Sequence, residues 1–165
     1  MSILKKNIKF LITLFILLGL FFNSNLVYGA GNVDADSDKS TLCNGGKKLV
    51  LRAKKLEKKD KVEKAQKLYL KALDKFEKAY TKDKKNADLL NYFGYALRKT
   101  GDFEKAEVYY LKGLELDAGH LGINEYLGEL YVETDRIELA KERLQVLKDC
   151  NCEEYDELKE LIEKN

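Results

Sequence analysis

From Lys47 to the end of the chain, apolar residues return every three or four positions, the spacing of one face of an α-helix. Leu49, Ala53 and Leu56 mark a first predicted helix, and Ala65, Tyr69 and Ala72 a second. Leu90, Phe93, Gly94 and Leu97 mark a third, Ala106 and Tyr110 a fourth, Leu127, Gly128 and Tyr131 a fifth, and Ala140 and Leu144 a sixth. A last stripe of Tyr155, Leu158, Leu161 and Ile162 predicts a closing helix over 153–165. Its first residues include Glu153, Glu154, Asp156 and Glu157, acids that suit the positive end of a helix dipole. Breaks between paired helices fall at Lys59-Asp60, Gly101-Asp102 and Asp135-Arg136. The chain has no proline, so Gly, Asn and Asp must end its helices. The expected fold class is all-α.

Residues 87–120 and 121–154 superimpose at an offset of 34 residues, the second copy being the weaker. A fixed period of that length predicts stacked helical hairpins. An earlier hairpin fits with an excess: Ala53 to Gly94 and Ala65 to Ala106 each span 41 residues, seven more than the period. Seven residues make about two helical turns. The simplest account lengthens the second helix of that hairpin through Phe76, Ala79 and Tyr80. A rival register, aligning Ala72, Phe76 and Ala79 with Ala106, Tyr110 and Gly113, puts Lys59 and Asp60 on a helix contact and is rejected.

With Leu90-x-x-Phe93-Gly94-x-x-Leu97, Gly101-Asp102-Phe103, Ala106-x-x-x-Tyr110 and Leu114-Glu115-Leu116-Asp117, the chain resembles the tetratricopeptide-repeat family. The resemblance implies antiparallel helical hairpins stacked as a short solenoid: a degenerate repeat at 47–86 with a lengthened second helix, repeats at 87–120 and 121–152, and a capping helix at 153–165. It implies a non-catalytic protein-protein interaction or scaffold module, whose first helices line a concave groove that takes a peptide or helix of a partner. Residues three and four apart share that face. The groove positions are then Val50, Lys54 and Glu57 in the first repeat, Asp88, Asn91, Tyr95 and Arg98 in the second, and Glu125, Glu129 and Val132 in the third. The family's clamp for a C-terminal carboxylate needs Lys, Asn and Arg at set groove positions. Glu125 and Glu129 occupy much of that region, so a chaperone-tail clamp is not expected. Tyr92, Tyr95, Tyr109, Tyr110, Tyr126 and Tyr131 recur mostly at packing spacings and are expected in the core.

The N-terminus reads differently. Lys5, Lys6 and Lys9 precede Phe10 to Phe22, thirteen residues without a charge. As a helix that run rises only about 20 Å, short of a bilayer core, so 1–29 reads as a signal peptide cut after Gly29 or Ala30. An uncleaved anchor, giving a membrane-tethered structural protein, is the alternative. Residues 30–46 are polar and aperiodic and are expected to be a flexible leader. Export, to the periplasm or beyond the bacterial cell envelope, sets an oxidising compartment for Cys43, Cys150 and Cys152. Three thiols leave one odd, and Cys150-x-Cys152 can be a structural disulfide, a thiol redox pair, which is the rival function, or half of a soft-metal site, the pairing staying open. Metal would need more ligands, and the single histidine, His120, has no His partner. The end of the chain, Cys150-Asn151-Cys152 and then Glu153-Glu154-Tyr155-Asp156-Glu157-Leu158, is similar to that of exported bacterial repeat proteins.

Charge is segregated. Residues 44–86 hold 16 Lys or Arg against 6 Asp or Glu, and residues 120–165 hold 6 against 13, within a net charge of +2. Lysines on solvated helix faces explain much of this, and docking of the basic end to an anionic partner or weak head-to-tail self-association would also use it. Export argues against nucleic acid as a partner. The chain has no Gly-rich phosphate loop, no nucleophile elbow and no paired His and carboxylate, so no catalytic site and no cofactor are expected. A protein or peptide partner is.

Overall fold

A computed structural model describes residues 35–165; the expected signal peptide lies outside the described residues. Seven helices follow: α1 (Ala35–Glu57), α2 (Val62–Lys82), α3 (Ala87–Lys99), α4 (Phe103–Leu116), α5 (Leu121–Glu133), α6 (Ile137–Leu147) and α7 (Glu153–Glu163). Consecutive helices pair as hairpins, α1 with α2, α3 with α4 and α5 with α6, and each hairpin packs on the next. The first helices α1, α3 and α5 touch one another in series, whereas α2, α4 and α6 do not. The stack therefore curves, with α1, α3 and α5 on its inner side. The closing helix α7 packs on both α5 and α6, as α5 packs on α3 and α4. It covers the apolar face that the last hairpin would otherwise expose.

The helices begin and end for local reasons. Asn86 and Asp102 accept the backbone N–H of Leu89 and Lys105, capping α3 and α4, and the imidazole Nδ1 of His120 accepts that of Ile123 at the start of α5. Each hairpin turns through one residue with positive φ: Asp60 at 54°, Gly101 at 88° and Asp135 at 57°. These stand 41 and then 34 residues apart, so the turn keeps the repeat register even where its glycine is lost. Asn151, between the two bonded cysteines, makes the fourth left-handed position, at 48°.

Inside, the core runs through all the hairpins. Ala53, Ala65, Tyr69, Ala72, Phe76, Leu89, Leu90, Ala106, Tyr110, Ile123, Leu127 and Leu158 are all at most 1% exposed. Small residues set the helix spacing: a Cβ on Gly94 would lie 2.6 Å from the Tyr110 ring, so only glycine lets α3 and α4 close over that tyrosine.

The leader is corrected by the structure. Residues 35–46, expected to be flexible, are the first half of α1. The reason is the lengthened α2, which has 21 residues against 14 in α4. Its extra turns carry Phe76 and Ala79 as buried residues, and these need a facing helix. Gly46 supplies the close approach: a Cβ there would meet the Phe76 ring at 2.4 Å. Leu42 and Cys43 pack on the same core.

Candidate binding groove

The inner side of the curve carries an interlocked set of charged and aromatic side chains from α1, α3 and α5. Lys54 of α1 donates from Nζ to the Tyr126 hydroxyl of α5 over 3.1 Å and lies 5.2 Å from the ring centroids of both Tyr95 and Tyr126. A lysine held between two rings is stabilised by their negative faces. Arg98 of α3 lies 5.3 Å from the Tyr95 ring centroid and donates to Glu133 Oε1 over 2.7 Å and to Glu129 Oε2. Its side chain is only 4% exposed. Burial opposes the charge, yet Tyr110, Glu129 and Glu133 hold the guanidinium protonated beyond its ordinary range. At the far end of α1, Glu57 accepts from the Tyr69 hydroxyl over 2.8 Å and pairs with Lys99 Nζ over 3.0 Å.

Carboxylates gather toward α7. Glu125 is 3% exposed, and burial, its hydrogen bond to Glu157 of α7 and the charge of Glu129 push its carboxyl up to about 9. One oxygen each of Glu125, Glu129 and Glu157 lie within 4.8 Å of one another. Such a set attracts a cation, and Arg98 already supplies one to Glu129. Beside it, the first turns of α3 and α5, the α4–α5 loop and the first turn of α7 enclose a recess of about 410 Å³.

The structure brings most of the expected stripe together, with two departures. Val50 and Val132, expected on the groove, are 1% and 5% exposed and belong to the core, packed among the apolar residues of the neighbouring helices. Tyr95 and Arg98 face the groove but are 4% and 5% exposed, so they form its floor. Lys54, Glu57 and Glu129 are half-buried, Asp88 is exposed at the rim, and Asn91 and Glu125 are buried at the recess. Of the tyrosines expected in the core, Tyr95, Tyr110 and Tyr131 are buried and Tyr92, Tyr109 and Tyr126 are half-buried and packed against it, Tyr92 and Tyr126 also lining the recess. Glu133, Lys99 and Glu157 join the network without having been expected at the groove. Tyr92 with Tyr126 and Lys99 with Glu133 are 34 residues apart, so the repeat period carried a signal for both pairs.

The three cysteines separate. Cys150 and Cys152 are bonded to each other in the α6–α7 turn, with Cα atoms 5.2 Å apart, and Cys43 is a free, half-buried thiol on α1. Burial pushes that thiol up, which reduces its reactivity at neutral pH.

Residues 87–120 match a family model described as tetratricopeptide repeat. Among solved structures, the chain is similar to a tetratricopeptide repeat protein from Parabacteroides merdae, with a TM-score of 0.53 and 15% identity over 73% of this chain; it spans 60% of that protein's length. It is similar to the second TPR domain of human RPAP3, solved with the HSP70 peptide SGPTIEEVD (TM-score 0.52, 19% identity, 77% of this chain and 99% of that one). The first TPR of Spaghetti (RPAP3), bound to the HSP90 peptide SRMEEVD, gives a TM-score of 0.51 and 20% identity over 73% of this chain and 93% of that one. No curated protein matches the chain in sequence. One repeat matches the family model, hairpins of the same plan stand on both sides of it, and the solved structures share the architecture, so the chain has the tetratricopeptide-repeat fold, an all-α solenoid of helical hairpins.

Proposed function

We propose that this protein is a non-catalytic interaction module of the bacterial cell envelope, binding a peptide or helix of another envelope protein along the concave face of α1, α3 and α5. The observation that carries this reading is the bond between Lys54 and Tyr126, 72 residues apart in sequence. It joins the first and last repeats across the groove, so side chains of three helices form one continuous floor that no single repeat could present. A floor tied together by hydrogen bonds, ion pairs and ring contacts is pre-organised, and binding to it loses little conformational freedom. The RPAP3 domains, which share the fold, were solved with peptides bound, and that supports the same use here. The lysines and apolar run at the N-terminus support export, which makes an envelope protein the natural partner.

The test uses photo-crosslinking amino acids at half-buried or exposed positions, because Tyr95 and Arg98 are too buried to change without loosening the fold. One set replaces Tyr92 or Glu133 in the groove, and the other replaces Val108 or Leu111 on the outer helix α4. Irradiation in the native envelope is expected to give a partner adduct of one defined mass from the groove positions only. Adducts from the outer positions alone, or equally from both, would overturn the groove reading.

A further inference from the structure

The recess between α3 and α5 is built from acceptors. Asp88, Asp117 and Glu154 line it with carboxylates and Glu125 with a carboxyl, and His120 is the one basic side chain among its lining residues. His120 is turned to the wall: its Nδ1 accepts the Ile123 N–H, which leaves its Nε2 to donate toward Asp88 Oδ1 over 3.3 Å. The rings of Tyr92 and Tyr126 stand in the same lining. Each already holds a cation of this chain: Lys47 is 4.9 Å from the Tyr92 centroid and Lys54 is 5.2 Å from that of Tyr126.

A second observation is independent of these charges. Asn91, 5% exposed and lining the recess, has a side-chain Oδ1 that accepts no hydrogen bond among the described residues. Its amide nitrogen is packed against Gly122, where a Cβ would lie 2.8 Å away. A buried acceptor with no donor is destabilising unless something brings the donor. Carboxylates and an orphan carbonyl oxygen call for the same thing: a group with several N–H donors and a positive charge.

We propose that this recess is a cation subsite that takes the ammonium of a lysine side chain carried by the bound partner segment, with Asn91, Glu125 and Asp88 as acceptors and Tyr92 and Tyr126 as flanking rings. The proposal rests on the groove reading above and adds the chemistry of its ligand. It differs from the RPAP3 complexes, whose peptides end in Glu-Glu-Val-Asp. The Glu125–Glu157 pair strengthens the case. The two carboxyls share a hydrogen bond and Glu125 is held protonated, so an entering ammonium stabilises the ionised form and displaces a proton.

Binding of three end-capped nonapeptides to the full protein, followed by fluorescence anisotropy at low salt, tests this. One alternates Lys with Ser, one acetyl-lysine with Ser, and one Glu with Ser. The acetyl-lysine peptide keeps the stem and drops only the charge, so a Lys preference that disappears with the recess carboxyls reports a local site. The Lys peptide is expected to bind about tenfold more tightly than either other peptide. Asp88→Asn with Glu125→Gln, both isosteric, should erase that preference while the helical circular dichroism stays unchanged. Calorimetry at pH 8 in buffers of different ionisation enthalpy should show proton release with the Lys peptide and none with the double variant. Equal binding of the Lys and acetyl-lysine peptides would overturn the cation subsite and leave the groove reading standing. Binding of the Glu peptide alone, of none of the three, or full displacement of the Lys peptide by millimolar calcium or magnesium would each overturn the lysine assignment. The groove reading fails separately, on its crosslinks.

Discussion

The first hairpin, α1 and α2, and the third, α5 and α6, follow the same plan and use charge in opposite ways. The first is long and basic, and Arg52, Lys61, Lys64, Lys67 and Lys71 line its outer side with Leu56 and Leu68 between them. Their flexible stems cover apolar surface while their heads stay in water. The third is short and acidic, and its carboxylates at Glu125 and Glu129 are drawn inward beside Lys54 and Arg98. Charge on the first hairpin is therefore solvated and replaceable. Charge on the third is part of the fold, because the low dielectric of the curve makes each pairing strong and each unpaired group expensive.

The contrast predicts a graded set of outcomes. Arg98→Ala leaves Glu129 and Glu133 without their buried partner and should destabilise the protein by about 3 kcal/mol, read from urea unfolding; a loss comparable to that of a surface lysine would break the contrast. Gly46→Val forces a side chain into the Phe76 ring and should lose about 2 kcal/mol, the size expected of overpacking. An unchanged melting temperature there would show that the start of α1 is not packed on α2.

The third outcome depends on pH. Folded Glu125 keeps its proton up to about 9, whereas the unfolded chain releases it near 4.5, so folded stability from this group is complete below 4.5 and is lost as pH rises toward 9. Glu125→Gln should remove that loss. Its advantage over the parent should grow with pH, reaching about 1 kcal/mol by pH 8 since Glu157 shares the titration. Thermal melts of both proteins from pH 5 to 9 measure it, and an advantage that shrinks with pH would contradict the buried carboxyl. Asp135→Gly relieves a left-handed residue in the third hairpin and should gain about 1 kcal/mol, as should Asp60→Gly in the first. Lys64→Ala with Lys67→Ala should stay within about 0.5 kcal/mol.

Much of the architecture was legible because it is local. Helical spacing, the 34-residue period and the turn positions each depend on residues a few places apart, and the seven-residue excess pointed straight to the long α2. The start of α1 was not legible, because residues 35–46 lack a strong apolar period and are helical by virtue of the α2 turns they cover. The groove was half legible. Spacing put Lys54, Tyr95, Arg98 and Glu129 on one stripe, and it could not tell floor from rim, or show that Tyr126 faces a lysine from the first repeat.

What the sequence determined by itself is the repeat: which residues from Lys47 onward are helical, where each hairpin turns, and which face of each helix is apolar. Those follow from the 3.6-residue geometry and from short-range sterics. Only the tertiary structure decided that Val50 and Val132 sink into the core, that Arg98 is buried among acids, and that Asn91 is left with an unanswered acceptor. Each of these depends on how helices of different repeats pack against one another, which no local pattern records.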